Sequence, residues 1–174
     1  MKLETDPDKI KELADQRADA NWSFRCFLKS SDLSTRKLDS IVHRHYGEVA
    51  AQNDCRQCAN CCRSVRLLLT GKDVERLAVK LRISKEQVID QYLQTSGGEG
   101  GSSFRSIPCP LLSSNLCRVY SHRFSVCRSY PHLQEKDFIS RTIQVYSNCS
   151  VFPIVFNVYE RLKAEIWRGR RRRF

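Results

Sequence analysis

The sequence predicts a mainly helical α+β fold, a small cysteine-rich metal-binding core with helical N- and C-terminal extensions. Three observations predict it. Apolar residues recur at three- to four-residue intervals near both ends, the middle offers only short apolar runs suited to strands, and that middle carries most of the nine cysteines. A chain of 174 residues accommodates one ordinary domain. The expected layout is a single domain, 1–174, made of an N-terminal helical arm (1–53), a cysteine-cluster core (54–152) and a C-terminal helix with a basic tail (153–174).

The first helix is expected from Pro7, where Ile10, Leu13, Ala14 and Arg17 follow a helical pattern and Asp6 is placed to cap the first turn. The aromatic segment Trp22 to Phe27 then docks this arm, with Cys26 as a small buried hydrophobe. A second helix is predicted from about Ser34 to about Ala51, through Leu38, Ile41, Val42, His45 and Val49. Beyond the cysteines, Val65 to Leu69 reads as a strand or buried extended segment. Thr70 with Asp73, and Ser84 with Gln87, resemble capping boxes that open two helices of a hairpin. The glycine-rich stretch Thr95 to Ser103 reads as a flexible loop or hairpin tip, and no Lys-Ser/Thr pair follows it to make a phosphate cradle. Phe138 to Tyr146 alternates in part, which predicts a strand. Pro153 suits the first turn of a long helix whose stripe includes Ile154, Val158, Leu162 and Ile166.

Hydrophobic residues at 41% and charged residues at 28% place the chain among globular proteins. No apolar run reaches the length of a signal-peptide core or a bilayer span, so the expected address is the cytoplasm. Thiols stay reduced there, and closely spaced thiolates in a reducing compartment usually hold metal. The formal net charge is +11, of which Arg168, Arg170, Arg171, Arg172 and Arg173 supply five. That tail suits phosphate, but cations also complement a helix C-terminus, and no aromatic interleaving accompanies it. Nucleic acid is therefore a possible partner that is not favoured.

Cys55, Cys58 and Cys61 stand at intervals of three, and Cys62 adjoins the last. Such spacing lets thiolates converge on one centre while intervening amides point at sulfur. Cys109, Cys117, Cys127 and Cys149 complete a candidate set of eight metal or cofactor ligands. Zinc and iron-sulfur centres both accept thiolates. The triple run is like that of bacterial ferredoxins, Cys109-Pro110 is like their Cys-Pro step, and adjacent side chains at Cys61 and Cys62 tend to diverge. Together these favour an iron-sulfur cluster or iron, with zinc as the alternative. Buried reduced thiols without metal, or a redox disulfide pair aided by Arg56, Arg63 and Arg66, are the competing readings.

Cys55-x-x-Cys58-x-x-Cys61-Cys62, then Pro108-Cys109-Pro110-Leu111-Leu112, then Cys117-Arg-Val-Tyr120-x-x-Arg123-x-x-x-Cys127-Arg128-x-Tyr130-Pro131, resembles the YkgJ-type cysteine-cluster family over about Asp54 to Lys163. The resemblance implies a zinc- or iron-chelating domain, with Cys55, Cys58, Cys61, Cys62, Cys109, Cys117 and Cys127 carried over as ligands. Members of this family are often labelled iron-sulfur oxidoreductases. Phe124 stands where such members usually have proline. Phe152 stands where a cysteine is expected, and Cys149, three residues upstream, is the candidate substitute. A similar cysteine motif occurs in flagellin lysine methylases, so the pattern can sit in an enzyme.

His132, and less so His122, are further candidate ligands, with a hydrogen-bonded structural role preferred for His132. His43 and His45 read as structural or surface residues. Arg118, Arg123 and Arg128 suit shielding of thiolate charge better than binding of an anionic substrate. No serine-histidine-acid set, dinucleotide fingerprint or P-loop is present, so no catalytic residue is assigned. The expected function is metal binding, through an iron-sulfur or iron centre serving electron transfer or metal-dependent redox chemistry, which would make the chain an iron-sulfur-dependent oxidoreductase if it is an enzyme. A zinc-stabilised interaction module with a protein partner, or a thiol-based redox or metal sensor, is the alternative.

Overall fold

A computed structural model describes residues 2–54, 58–95 and 101–167. They are mainly helical with small antiparallel sheets, a mainly helical α+β arrangement. The chain forms two compact units, one from Met1–Asp54 with Pro131–Phe174 and the other from Cys55–Tyr130.

In the first unit, α1 (Pro7–Gln16) begins at the Asp6 cap, whose carboxylate accepts from the amides of Asp8 at 2.9 Å and Lys9 at 3.4 Å. It buries Ile10 and Ala14 against Phe156. The aromatic segment that follows belongs to a full helix, α2 (Ala18–Ser30), because Asn21, Phe24 and Leu28 fall at helical spacing and bury one stripe. Trp22 lies at the edge of that stripe, 45% exposed, and meets the Tyr146 ring edge-on at 5.4 Å. Cys26 is exposed, which corrects the expected buried position: the helical turn directs it away from the Phe24–Leu28 stripe. α3 (Thr35–Ala50) starts at Ser34, buries Leu38, Ile41, Val42, His45 and Val49 as its periodicity predicts, and packs along the helix that begins at Pro153.

α9 (Pro153–Leu162) has Pro153 in its first turn and runs into a π-helical turn, Lys163–Trp167. Lys163 lies buried there, donating to Asn21 Oδ1 at 2.6 Å and paired with Glu160, which Arg17 also meets at 2.9 Å. The arginine-rich tail, 168–173, lies outside the described residues.

The strand expected over Phe138 to Tyr146 is instead a turn followed by α8 (Thr142–Asn148). Asp39 of α3 accepts from the amides of Asp137 and Phe138, both at 2.9 Å, which turns the chain. Thr142, Val145 and Cys149 are then buried at helical spacing while Ile143 is 44% exposed, so the alternation does not describe the buried face. Residues 131–152, grouped with the cysteine core from sequence, thus pack with the terminal helices.

In the second unit, the extended segment after the cysteines contributes a short strand, β1 (Leu68–Leu69). α5 (Gly71–Leu81) and α6 (Lys85–Tyr92) form the expected hairpin, and each opens with a complete capping box, Thr70/Asp73 and Ser84/Gln87. β2 (Leu93–Thr95) and β3 (Ser102–Phe104) pair antiparallel on either side of the glycine-rich stretch, whose middle, 96–100, lies outside the described residues. The sheet order is β1-β3-β2. A second hairpin, β4 (Leu112–Ser113) with β5 (Leu116–Cys117), turns through Ser114 and Asn115, both left-handed at φ 47° and 65°. α4 (Asn60–Ser64) and α7 (Ser125–Ser129) are short helices that carry cysteines. The core is built from Leu69, Val74, Leu77, Val88, Leu93, Phe104, Leu111, Val119 and Phe124, with Cys109, Cys117 and Cys127 packed against it.

Candidate metal centre

Each cysteine of the second unit is placed by a local device. Cys61 and Cys62 open α4, which follows the left-handed Ala59 (φ 49°). The amide of Cys109 donates to the carbonyl of Cys62 at 2.7 Å, which joins the second cysteine segment to the first. Cys109 then accepts from Leu112 N at 2.9 Å, and Cys117 lies opposite Leu112 in the β4–β5 ladder. Cys127 rides on α7, which follows buried Phe124, and packs against the core that contains it. Arg63 donates to the carbonyl of Cys58 at 3.1 Å and also reaches Asn115 Oδ1, so one guanidinium ties the first motif to the β4–β5 turn.

Cys58, Cys61, Cys62, Cys109, Cys117 and Cys127 are all half-buried free thiols. Cys61 Sγ and Cys62 Sγ are 3.9 Å apart. That is close to the roughly 3.8 Å separating two sulfurs on one tetrahedral ion with metal-sulfur bonds of about 2.3 Å. The adjacent pair therefore converges where divergence was expected. Their hydrogen bond pulls the two thiols apart in acidity. Accepting from Cys61, and facing Arg123 and Arg63 against the opposing effect of burial, Cys62 is lowered to about 7. Cys61 is pushed up by that same bond, by burial, and by Cys62, Cys127 and Cys58 around it. Burial raises Cys109 to about 11, with Cys62 and Cys117 adding to it. Burial also raises Cys127 to about 12, reinforced by Cys62, Cys109 and Cys117 and opposed by Arg123. Pairwise interactions thus link the six thiols into one connected set.

The donors are soft sulfur, the kind that selects zinc, iron-sulfur clusters and copper(I) over hard-oxygen metals. Residues 58–69 and 101–130 contain no Asp or Glu, but they contain Arg63, Arg66, Arg105, Arg118, Arg123 and Arg128. Arg63 is anchored as described, and three more are held in place. Arg66 donates to the carbonyls of Phe104 and Arg105, Arg105 to that of Leu93, and the Arg123 guanidinium lies 3.9 Å over the Tyr120 ring. This charge balance suits a centre bearing several thiolates. Among the described residues, no group of three or more His, Cys, Asp or Glu side chains converges closely enough to hold a metal ion.

The remaining candidates are placed differently. Cys55 lies outside the described residues. Cys149 belongs to the first unit, 2% exposed, with its thiol donating to Val145 O at 3.2 Å. Burial pushes that thiol up, and the charges acting on it are those of Lys163 and Glu160. His132 is also in the first unit, left-handed at φ 61°, with Nδ1 2.6 Å from Glu135 Oε1. His122 is exposed and bonds to Ser121 Oγ at 2.8 Å. His43 approaches the Glu135 carbonyl at 3.4 Å, and buried His45 meets Glu165 at 2.8 Å. The sequence marks Asp73 only as a helix cap, yet its carboxylate also bonds to Ser125, two positions before Cys127. The Thr70-x-x-Asp73 capping box is its only local signal.

A family model described as "Putative zinc- or iron-chelating domain", with the motif name CxxCxxCC, matches residues 54–150. No curated protein and no solved structure matches the chain. Among the described residues, no helix is long and apolar enough to cross a membrane.

Proposed function

The chain belongs to the CxxCxxCC family of zinc- or iron-chelating domains, and from that membership we propose that it holds an iron or iron-sulfur centre on Cys55, Cys58, Cys61, Cys62, Cys109, Cys117 and Cys127. The number of gathered thiols carries the reading. Six half-buried sulfurs act on one another in one unit, whereas a tetrahedral zinc takes four ligands. A polynuclear centre, or two metals side by side, would use them.

When bound, such a centre supplies one-electron chemistry. The chain's own residues set its surroundings. Arg63 and Arg123 offset thiolate charge, and Leu111, Val119 and Phe124 form an apolar floor that limits water, two influences that tune a reduction potential. Electron transfer or metal-dependent redox chemistry is the role this supports, and a reducing compartment such as the cytoplasm suits the free thiols. Cys149 has a packing role.

The 3.9 Å separation of Cys61 and Cys62 favours a second reading, a closed zinc site that stabilises an interaction module for a protein partner. Anaerobic purification followed by iron, acid-labile sulfide and zinc analysis, with visible absorption spectra, separates the two. Iron with sulfide and absorption near the thiolate-to-iron charge-transfer region is the expected result. Stoichiometric zinc in colourless protein would overturn the iron reading and leave the zinc one.

A further inference from the structure

The buried carboxylate of Asp73 serves two partners, Thr70 and Ser125, and the Ser125 hydroxyl lies 3.5 Å from Oδ2 as well as bonding Oδ1. Oδ2 closes the capping box of α5, accepting from Thr70 Oγ1 at 2.7 Å and Thr70 N at 3.2 Å. Oδ1 reaches 52 residues along the chain and accepts from Ser125 N at 3.2 Å and Ser125 Oγ at 3.3 Å. Asp73 is 1% exposed, and a carboxylate so placed is tolerated only with its acceptors filled. Capping α5 requires the first set of bonds alone.

The second set falls on the first residue of α7, the helix of Cys127. α7 has five residues, too few to be stable in isolation, and its own N-cap is Phe124, which offers no side-chain cap. Asp73 fills the place of the missing cap from another helix. Two anchors, Phe124 in the core and Asp73 on the first amide, then fix where Cys127 stands. Asp73 is not among the main charges acting on the Cys127 thiol, which are those of Cys62, Cys109, Cys117 and Arg123, so its influence passes through Ser125.

We infer that Asp73 is a positioning residue of the cysteine centre, capping the Cys127 helix in trans and holding that thiol in register with the others. This rests on the reading of the cluster as a metal site, and it extends that site to a residue outside the cysteine motif.

The test is an anaerobic cobalt(II) titration of the metal-free full chain, reading thiolate-to-cobalt charge transfer and the d–d bands, beside urea unfolding of the same metal-free samples. Asp73→Asn puts an amide where two acceptors are needed. Ser125→Pro removes both donors while suiting the first helical position, and Phe124, at ψ 153°, already has the backbone that precedes proline. Gln87→Ala breaks the neighbouring capping box, which among the described residues has no bond to a cysteine-bearing helix, and serves as the control. Asp73→Asn and Ser125→Pro are expected to weaken cobalt binding about 10- to 100-fold and alter the d–d envelope, with Gln87→Ala binding as the parent does. If Asp73→Asn does not fold, Ser125→Pro decides. Parent-like affinity and spectra in folded Asp73→Asn or Ser125→Pro would overturn the inference while leaving the metal site intact. A parent chain that takes up no cobalt on thiolates would overturn the metal-site reading, and the inference with it.

Discussion

The amide of Cys109 donates to the carbonyl of Cys62 at 2.7 Å, so two cysteine segments 47 positions apart are joined by backbone before any metal is considered. The bond needs no side chain, and the two thiols are therefore presented together by the fold. Replacing either thiol should leave the scaffold standing and remove a ligand.

Cys61→Ser, Cys62→Ser and Cys109→Ser are accordingly expected to lower bound metal, each by well over half. Cys149→Ala should retain the parent metal content and lose about 1 kcal/mol or more of stability, because its thiol fills a packed site in the helical unit and bonds Val145 O. Metal-to-protein ratios with denaturant melts check both. Loss of metal in folded Cys149→Ala would restore it to the ligand set.

Thiol accessibility separates the two cysteines of the helical unit. Cys26 is exposed on α2 and should react with iodoacetamide in the native protein. Cys149 should stay unmodified until the chain unfolds. Peptide mass spectrometry after a short pulse reads the difference, and equal labelling of both would contradict the packing of α8.

Two substitutions two positions apart test whether 142–148 is helical. Ile143→Lys lies on an exposed position and should change stability by less than about 0.5 kcal/mol. Val145→Asp places a carboxylate at a 5% exposed position and should cost about 3 kcal/mol or prevent folding. Urea midpoints compare them. A strand with Ile143 and Val145 on one face would make both severe.

Acid stability should depend on Asp73. Burial opposes its ionisation, but the bonds from Thr70 and Ser125 outweigh this and hold the carboxyl below the usual carboxylate range. A group lowered in the folded state stabilises above its unfolded value, near 3.9, and that contribution fades as pH falls through the folded value. Metal-free parent protein should therefore lose more stability between about pH 5 and pH 2 than Asp73→Asn does. Parallel pH dependences in the two proteins would exclude that contribution.

Elements marked by signals within a single turn were legible without the structure. Asp6, Ser34, Thr70 with Asp73, and Ser84 with Gln87 each announce a helix start through bonds made to neighbours in sequence, and Pro153 does so through its fixed φ. The clustered cysteines and their motif likewise pointed to family and metal chemistry, since ligand type and spacing are properties of the chain itself.

What tertiary structure alone decided is which face of each segment meets a partner. α2 and α8 have too few apolar residues in clean period to be recognised, and they are helical because Phe24, Leu28, Thr142 and Val145 find buried partners. Cys26 and Cys149 look alike as isolated thiols, yet helix phase exposes one and buries the other. Asp73 reads as a capping residue of its own helix. Its second role exists because folding brings Ser125 to it, and no local pattern encodes a bond across 52 residues. Caps and ligand types depend on near neighbours, which the sequence determines, whereas burial and long-range hydrogen bonds depend on what else the fold brings close.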